Sequence, residues 1–228
     1  NAKQNEIKFI EGWTFAQIRK VLNEHPAIEY KSAGLSDQQI LQHIGASETA
    51  VEGIFFPDTY YFIKGSSDLD ILQRAYKTMQ NHLQNYWSER VESLPLNTPY
   101  EALILASIIE KETGAESDRA EIAGVFINRL RKGMKLQTDP TVIYGLGEQF
   151  DGNLRKKDLL ADQEYNTYTR AGLPPTPISL PSLASIRAAL NPAETDALYF
   201  VAKGNGESEF STNLADHNKA VNKYQKQQ

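Results

Sequence analysis

Cysteine is absent from the 228-residue chain, which excludes thiolate nucleophiles, disulfides, thiolate zinc fingers and iron–sulfur centres. A surplus of basic residues is missing too: 24 Lys+Arg stand against 29 Asp+Glu, for a formal net charge of −5. Neutralising phosphates requires cations gathered on one face, and here they are scattered, so no nucleic-acid partner is expected. No run approaches the ~18 uncharged apolar residues of a membrane span. The start, Asn1-Ala2-Lys3-Gln4-Asn5, has neither an initiator Met nor a signal-peptide apolar region. A processed or truncated end is expected, with any membrane anchor upstream of it. Low-complexity tracts and fixed-period repeats are lacking, which sets aside solenoids and propellers. So are the G-x-S-x-G, Walker and G-x-G-x-x-G patterns. His25, His43, His82 and His217 are far apart without H-E-x-x-H spacing, so neither metal nor cofactor is expected. His217, between Asp216 and Asn218, reads as a surface histidine.

What the chain does have is 40% hydrophobic and 10% aromatic residues, enough for a sizeable core. Alternation from Glu6 to Ile10 predicts a strand, Glu11-Gly12 a turn, and Thr14 the cap of a helix carrying Phe15, Ile18, Val21 and Leu22. Ser36-Asp37-Gln38-Gln39 is a capping box before a helix that Gly45 stops. Ile54 to Phe62 reads as β structure interrupted by a turn, and Gly65-Ser66-Ser67 closes a first module. Helical spacing from about Asp68 to Ser93 predicts a long linking helix. Thr98-Pro99-Tyr100-Glu101 opens a helix running to about Thr113, with Gly114 as its stop.

Further on, Ser117 to Leu130 is helical up to Gly133, and Asp139-Pro140 opens a short helix. Residues 164–181 are a proline-bounded loop. A helix through Leu183 and Leu190, a strand over Ala197–Ala202, a hairpin turn at Gly204-Asn205-Gly206 and a polar helix from Asn213 complete the chain. The fold class is therefore α+β: a small βα module over 1–64, a linking helix over 65–98, and a mainly helical domain over 99–228 with a late β-hairpin.

Glu110 closes the apolar run Ala102–Ile109 and shares a helix face with Leu103, Ala106 and Ser107. Burial and the negative end of the helix dipole both favour its protonated form, as a general acid requires. The alternative is that Glu110 begins the solvated end of the helix. Glu112, about 200° further round, is expected on the surface. Gln137, Thr138 and Asp139 lie on a polar turn at a helix N-terminus, as ligand contacts or with Asp139 as a plain cap. Tyr165, Asn166 and Tyr168 suit sugar stacking and hydrogen bonding, or a rigid surface loop.

The ordered motifs Leu105–Thr113, Val125–Leu130 with Met134–Val142, Tyr165–Tyr168 leading to Gly172–Ile178, and Phe56–Tyr60 resemble the YceG-like endolytic murein transglycosylases. The start around Glu11-Gly12-Trp13-Thr14-Phe15 is similar to a LysM-type glycan-binding unit. It departs from that pattern at Trp13, where a small acidic residue is usual, so a structural role stands beside glycan binding. The resemblance implies cleavage of the β-1,4 bond between N-acetylmuramic acid and N-acetylglucosamine inside glycan strands, leaving 1,6-anhydro ends. It makes Glu110 the single acid and then base; by their chemistry Gln137, Thr138 and Asp139 are expected as hydrogen-bond partners of substrate or of Glu110, and Ser107, Tyr165, Asn166 and Tyr168 as substrate contacts. No cofactor or metal is implied. Peptidoglycan glycan strands are the implied partner, with cell-wall synthases beside them. The implied location is the bacterial envelope, with a single-pass anchor in the inner membrane and the enzyme domain in the periplasm. Two other readings remain: a non-catalytic murein-binding scaffold, and a hydrolase with Asp139 or Asp118 as second carboxylate.

Overall fold

The computed structural model describes residues 3–112 and 114–225. β1 (Gln4–Lys8) and β3 (Thr59–Ile63) pair antiparallel, Ile7 opposite Tyr60, with α1 (Phe15–Glu24) and α2 (Asp37–Ile44) between them in sequence. Both helices start at capping boxes, Thr14 with Gln17 and Ser36 with Gln39, so each satisfies its first free N–H groups locally. The two-residue strands β2 (Ile28–Glu29) and β4 (Ser66–Ser67) pair in parallel. Ile54, Phe55 and Phe56 are buried without forming a strand; the Phe55 ring stacks on Phe15 at 5.5 Å. Side-chain packing, with no ladder, uses that apolar run.

α3 (Asp68–Ser88) ends at Ser88, short of the expected Ser93, because the chain turns there to bury Leu96. It is no free-standing linker. It packs on α2, on α4 (Pro99–Glu112) and on α8 (Leu183–Leu190), and one buried cluster runs from Ile7 to Leu190. The turn at Gly12 and Trp13 exchanges two backbone hydrogen bonds with Leu180, each 2.8 Å. Gly53, at φ +78°, lies so close to Pro177 that a Cβ would come within 2.2 Å of that ring, so only glycine fits.

α4 starts as expected: Thr98 Oγ1 accepts from Glu101 N at 3.2 Å, and the Glu101 carboxylate accepts from Asn97 N at 2.5 Å. Every residue from Ala102 to Ile109 is buried, so the helix is enclosed on all sides. Thr113, its expected end, lies outside the described residues. α5 (Arg119–Lys132), α6 (Asp139–Leu146), α7 (Lys156–Leu160), the hairpin β5 (Tyr199–Ala202) and β6 (Ser208–Ser211), and α9 (Leu214–Tyr224) follow. The mixed α+β class is as expected. The hairpin turn seats on the end of α4: a Cβ on Gly114 would meet the Gly206 carbonyl oxygen at 2.6 Å. Among the described residues no helix is long and apolar enough to cross a membrane.

Candidate active site

A cleft of about 670 Å³ opens between the C-terminal end of α4, α5, the 136–139 turn, the Tyr168 loop, the hairpin and α9. Glu112 lies in its wall, which corrects the expectation of a surface residue. Its carboxyl is enclosed, Oε1 accepts a 2.5 Å hydrogen bond from the Thr138 hydroxyl, and burial pushes the group up to about 7. The Asp139 charge acts in the same direction, and the Thr138 hydrogen bond opposes both.

Glu110 is elsewhere. Its Oε1 accepts from Ser182 N at 2.6 Å and from Ser185 Oγ at 3.1 Å, so it holds the N-terminus of α8 against α4, and it does not line the cleft. The two residues do point apart, as 200° of helix rotation requires. Because α4 is buried all round, apolar patterning could not tell the face toward α8 from the face toward the cleft.

The turn that carries Thr138 is rigidly supported. Gln137 adopts φ +50°, a left-handed conformation uncommon for a residue with a side chain, and its N–H donates to Thr167 O at 3.2 Å. Thr138 N donates to Thr167 Oγ1 at 3.0 Å, which in turn meets Thr141 Oγ1 at 2.9 Å. Thr138, not Asp139, caps α6, with Pro140 in the first turn. Gln137 and Asp139 are exposed and line the cleft. Tyr168 lines it as well, and its hydroxyl donates to Asp139 Oδ1. Burial, then that hydrogen bond, raises the Tyr168 phenol above its usual range.

Three expected substrate contacts are structural instead. Ser107 is fully buried, donating to Ile104 O at 2.6 Å and accepting from Ile178 N at 3.0 Å. Asn166 is also fully buried; its amide donates to Leu159 O and Ala161 O and its oxygen accepts from Tyr168 N, which leaves nothing for a sugar. Tyr165 spends its hydroxyl on Thr176 at 2.7 Å, packs edge-on to Tyr144, and lies off the cleft. Asp118 accepts from Ser208 N at 2.7 Å and so fastens β6.

The cleft also uses residues not expected there. His217 is half-buried on its wall, stacked on the Tyr199 ring at 4.9 Å, and is held below its ordinary value by burial and by Arg129. Arg129 is 6% exposed, its guanidinium over Tyr199. A signal for it existed in the sequence: on α5 it falls four residues after Val125 and seven after Ile122, in the buried stripe.

The YceG-like family model matches residues 1–223. An endolytic murein transglycosylase of Bacillus subtilis is 45% identical over 175 residues, 76% of this chain and 48% of that protein. One of Streptococcus pneumoniae is 33% identical over 177 residues, 75% of this chain and 32% of that protein. The chain thus spans about half or less of the length of these curated relatives. A crystal structure described as a putative yceG-like protein from Listeria monocytogenes superposes with a TM-score of 0.72 at 32% identity. That match covers 94% of this chain and 75% of that one. On the strength of the matched family model and of these relatives, the chain belongs to the YceG-like family.

Proposed function

We propose that the chain carries the active cleft of an endolytic peptidoglycan lytic transglycosylase, cutting the MurNAc-β-1,4-GlcNAc bond within glycan strands and leaving 1,6-anhydroMurNAc ends. The carrying observation is Glu112: a carboxyl held at about 7 in the wall of a cleft of about 670 Å³, oriented by Thr138. Near neutral pH a large share of such a group is protonated, so it can donate to the leaving glycosidic oxygen. Departure leaves an oxocarbenium-like sugar. Glu112, now a carboxylate beside Asp139, takes the proton of the substrate's C6 hydroxyl as that oxygen closes on C1. One carboxyl serves both steps, and the nucleophile belongs to the substrate. This reading transfers the acid–base role from Glu110 to Glu112, with Gln137, Asp139 and Tyr168 as the polar contacts of the cleft.

The names of the relatives and the family match support the reading. It carries with it action outside the cytoplasmic membrane, in the periplasm where there is one, a membrane anchor outside this sequence, and cell-wall synthases as partners. Residues 1–64 then form a LysM-like unit that braces the cleft-bearing part over 99–228, with 65–98 between. Incubation with purified sacculi tests the proposal: wild type and Glu110→Gln release 1,6-anhydro ends detectable by mass spectrometry, and Glu112→Gln releases none. Equal product from Glu112→Gln and wild type would sink it, and no product from wild type would leave a murein-binding scaffold. Asp139, in the same cleft, favours one competing reading, hydrolysis with a second carboxylate. In labelled water that reaction places solvent oxygen at the cut end, and the transglycosylase does not.

A further inference from the structure

Arg129 is a buried cation with no ion-pair partner among the described residues. Its Nε donates to Leu198 O at 2.7 Å, and its Nη1 donates to Lys135 O at 2.8 Å and more distantly to Gln137 Oε1 at 3.4 Å. These bonds fix the plane of the guanidinium and leave Nη2 with no acceptor among the described residues. Nor does any ion pair reach Arg129 there. The Tyr199 ring at 4.9 Å supplies a favourable quadrupole but no counter-charge. Neutral carbonyls could have been bridged by an uncharged donor, and arginine cannot shed its proton to escape the cost of burial. The part of Arg129 left open faces the cleft that holds Glu112. Asp139, the other carboxylate of that cleft, is engaged by the Tyr168 hydroxyl.

We propose that Arg129 is a specificity residue whose free Nη2 edge binds a carboxylate of the glycan substrate, so that the cleft selects acidic murein over neutral polysaccharide. The proposal rests on the transglycosylase reading for the identity of the glycan. A guanidinium fixed on one side and open on the other presents N–H groups in the geometry a carboxylate accepts. A murein strand offers that group in two places: on the lactyl ether of muramic acid once its peptide has been removed, and on the peptide stem where it is present. N-acetylglucosamine offers none, so a chitin-like strand would leave the cation unpaired.

Calorimetric titration of Glu112→Gln, so that ligand is not consumed, tests this with four murein tetrasaccharides. One is stripped of peptide with free lactyl carboxylates, and the second is the same compound as its methyl amide. The third bears stems, and the fourth bears stems with every carboxylate converted to methyl amide. Neutralisation is expected to weaken binding by about ten-fold or more in one pair, and the pair affected names the source of the carboxylate. Introducing Arg129→Lys, which keeps the charge but loses the fork, shrinks that preference to less than about three-fold. Equal affinities within both pairs, or no binding of any of the four, overturn the proposal. The chemistry of ligands on an unaltered Arg129 decides this even if the lysine variant does not fold. A carboxylate preference in a chain that makes no 1,6-anhydro ends removes the transglycosylase reading alone. Those ends without the preference remove the Arg129 site alone.

Discussion

Two glutamates whose carboxyls are pushed up to about 7 by burial sit in different parts of the molecule. Glu52 lies where the N-terminal unit meets α6. It is 6% exposed, accepts from Phe15 N at 2.7 Å and from the Tyr144 hydroxyl, and is pushed up to about 7 by burial. Glu112 reaches about 7 by the same cause, with one hydroxyl donor and a cleft in front of it. Glu52 is fastened at a joint, tying the first turn of α1 to the body of the fold. A displaced pKa alone therefore does not single out a proposed general acid; the open volume beside the Glu112 carboxyl is the observation that separates it from Glu52.

The sharpest way to break this comparison is to remove each proton in turn. Glu112→Gln is expected to lower the rate of anhydro-end formation by at least about a thousand-fold, within the range of lost general acid–base catalysis. Glu52→Gln should change it by less than about three-fold, measured on the same sacculi by mass spectrometry. The contrast reverses in stability. Glu52→Ala strands the Phe15 N–H and costs about 1–3 kcal/mol by chemical denaturation, whereas Glu112→Gln leaves stability at pH 7 unchanged or improved.

The pH dependence of stability follows from the same pair. Between about pH 4.5 and 7 the unfolded chain has released both protons while the folded chain still holds them, so stability falls as pH rises through that window and levels off above it. The fall is on the order of 1–3 kcal/mol per group. Denaturation midpoints at pH 5, 6, 7 and 8 should flatten in steps with Glu112→Gln and with the Glu52→Gln, Glu112→Gln double variant. A wild-type midpoint that rises with pH would contradict both assignments. The smallest effect belongs to Tyr168→Phe, which frees Asp139: a three- to ten-fold loss in kcat/KM, roughly one hydrogen bond, at unchanged thermal midpoint.

Much of the scaffold was legible because its signals are local. The capping boxes at Thr14 and Ser36, the Thr98 cap, the Gly45 stop and the hairpin at Gly204-Asn205-Gly206 are each decided within a few residues. The cleft was not legible, since its parts converge from distant elements. Ser107 and Asn166 looked free because their partners, Ile178 for one and the carbonyls at the C-terminal end of α7 for the other, are set by tertiary packing. Glu110 and Glu112 could not be ranked from a helix with no polar face. The polar Gln137-Thr138-Asp139 turn, singled out from the sequence, does border the cleft, and the glutamate that it hydrogen-bonds is Glu112, not Glu110.

The contact between Gly114 and Gly206 has a practical side. A hairpin tip is ordinarily the safe place to splice in an epitope or a fluorophore, since little depends on it. Here the tip is a doorstop set against Gly114, two residues past the end of the helix that bears Glu112. Even a methyl group added at Gly114 would push the β-ribbon outward and spread the walls of the cleft, so tagging belongs on another loop.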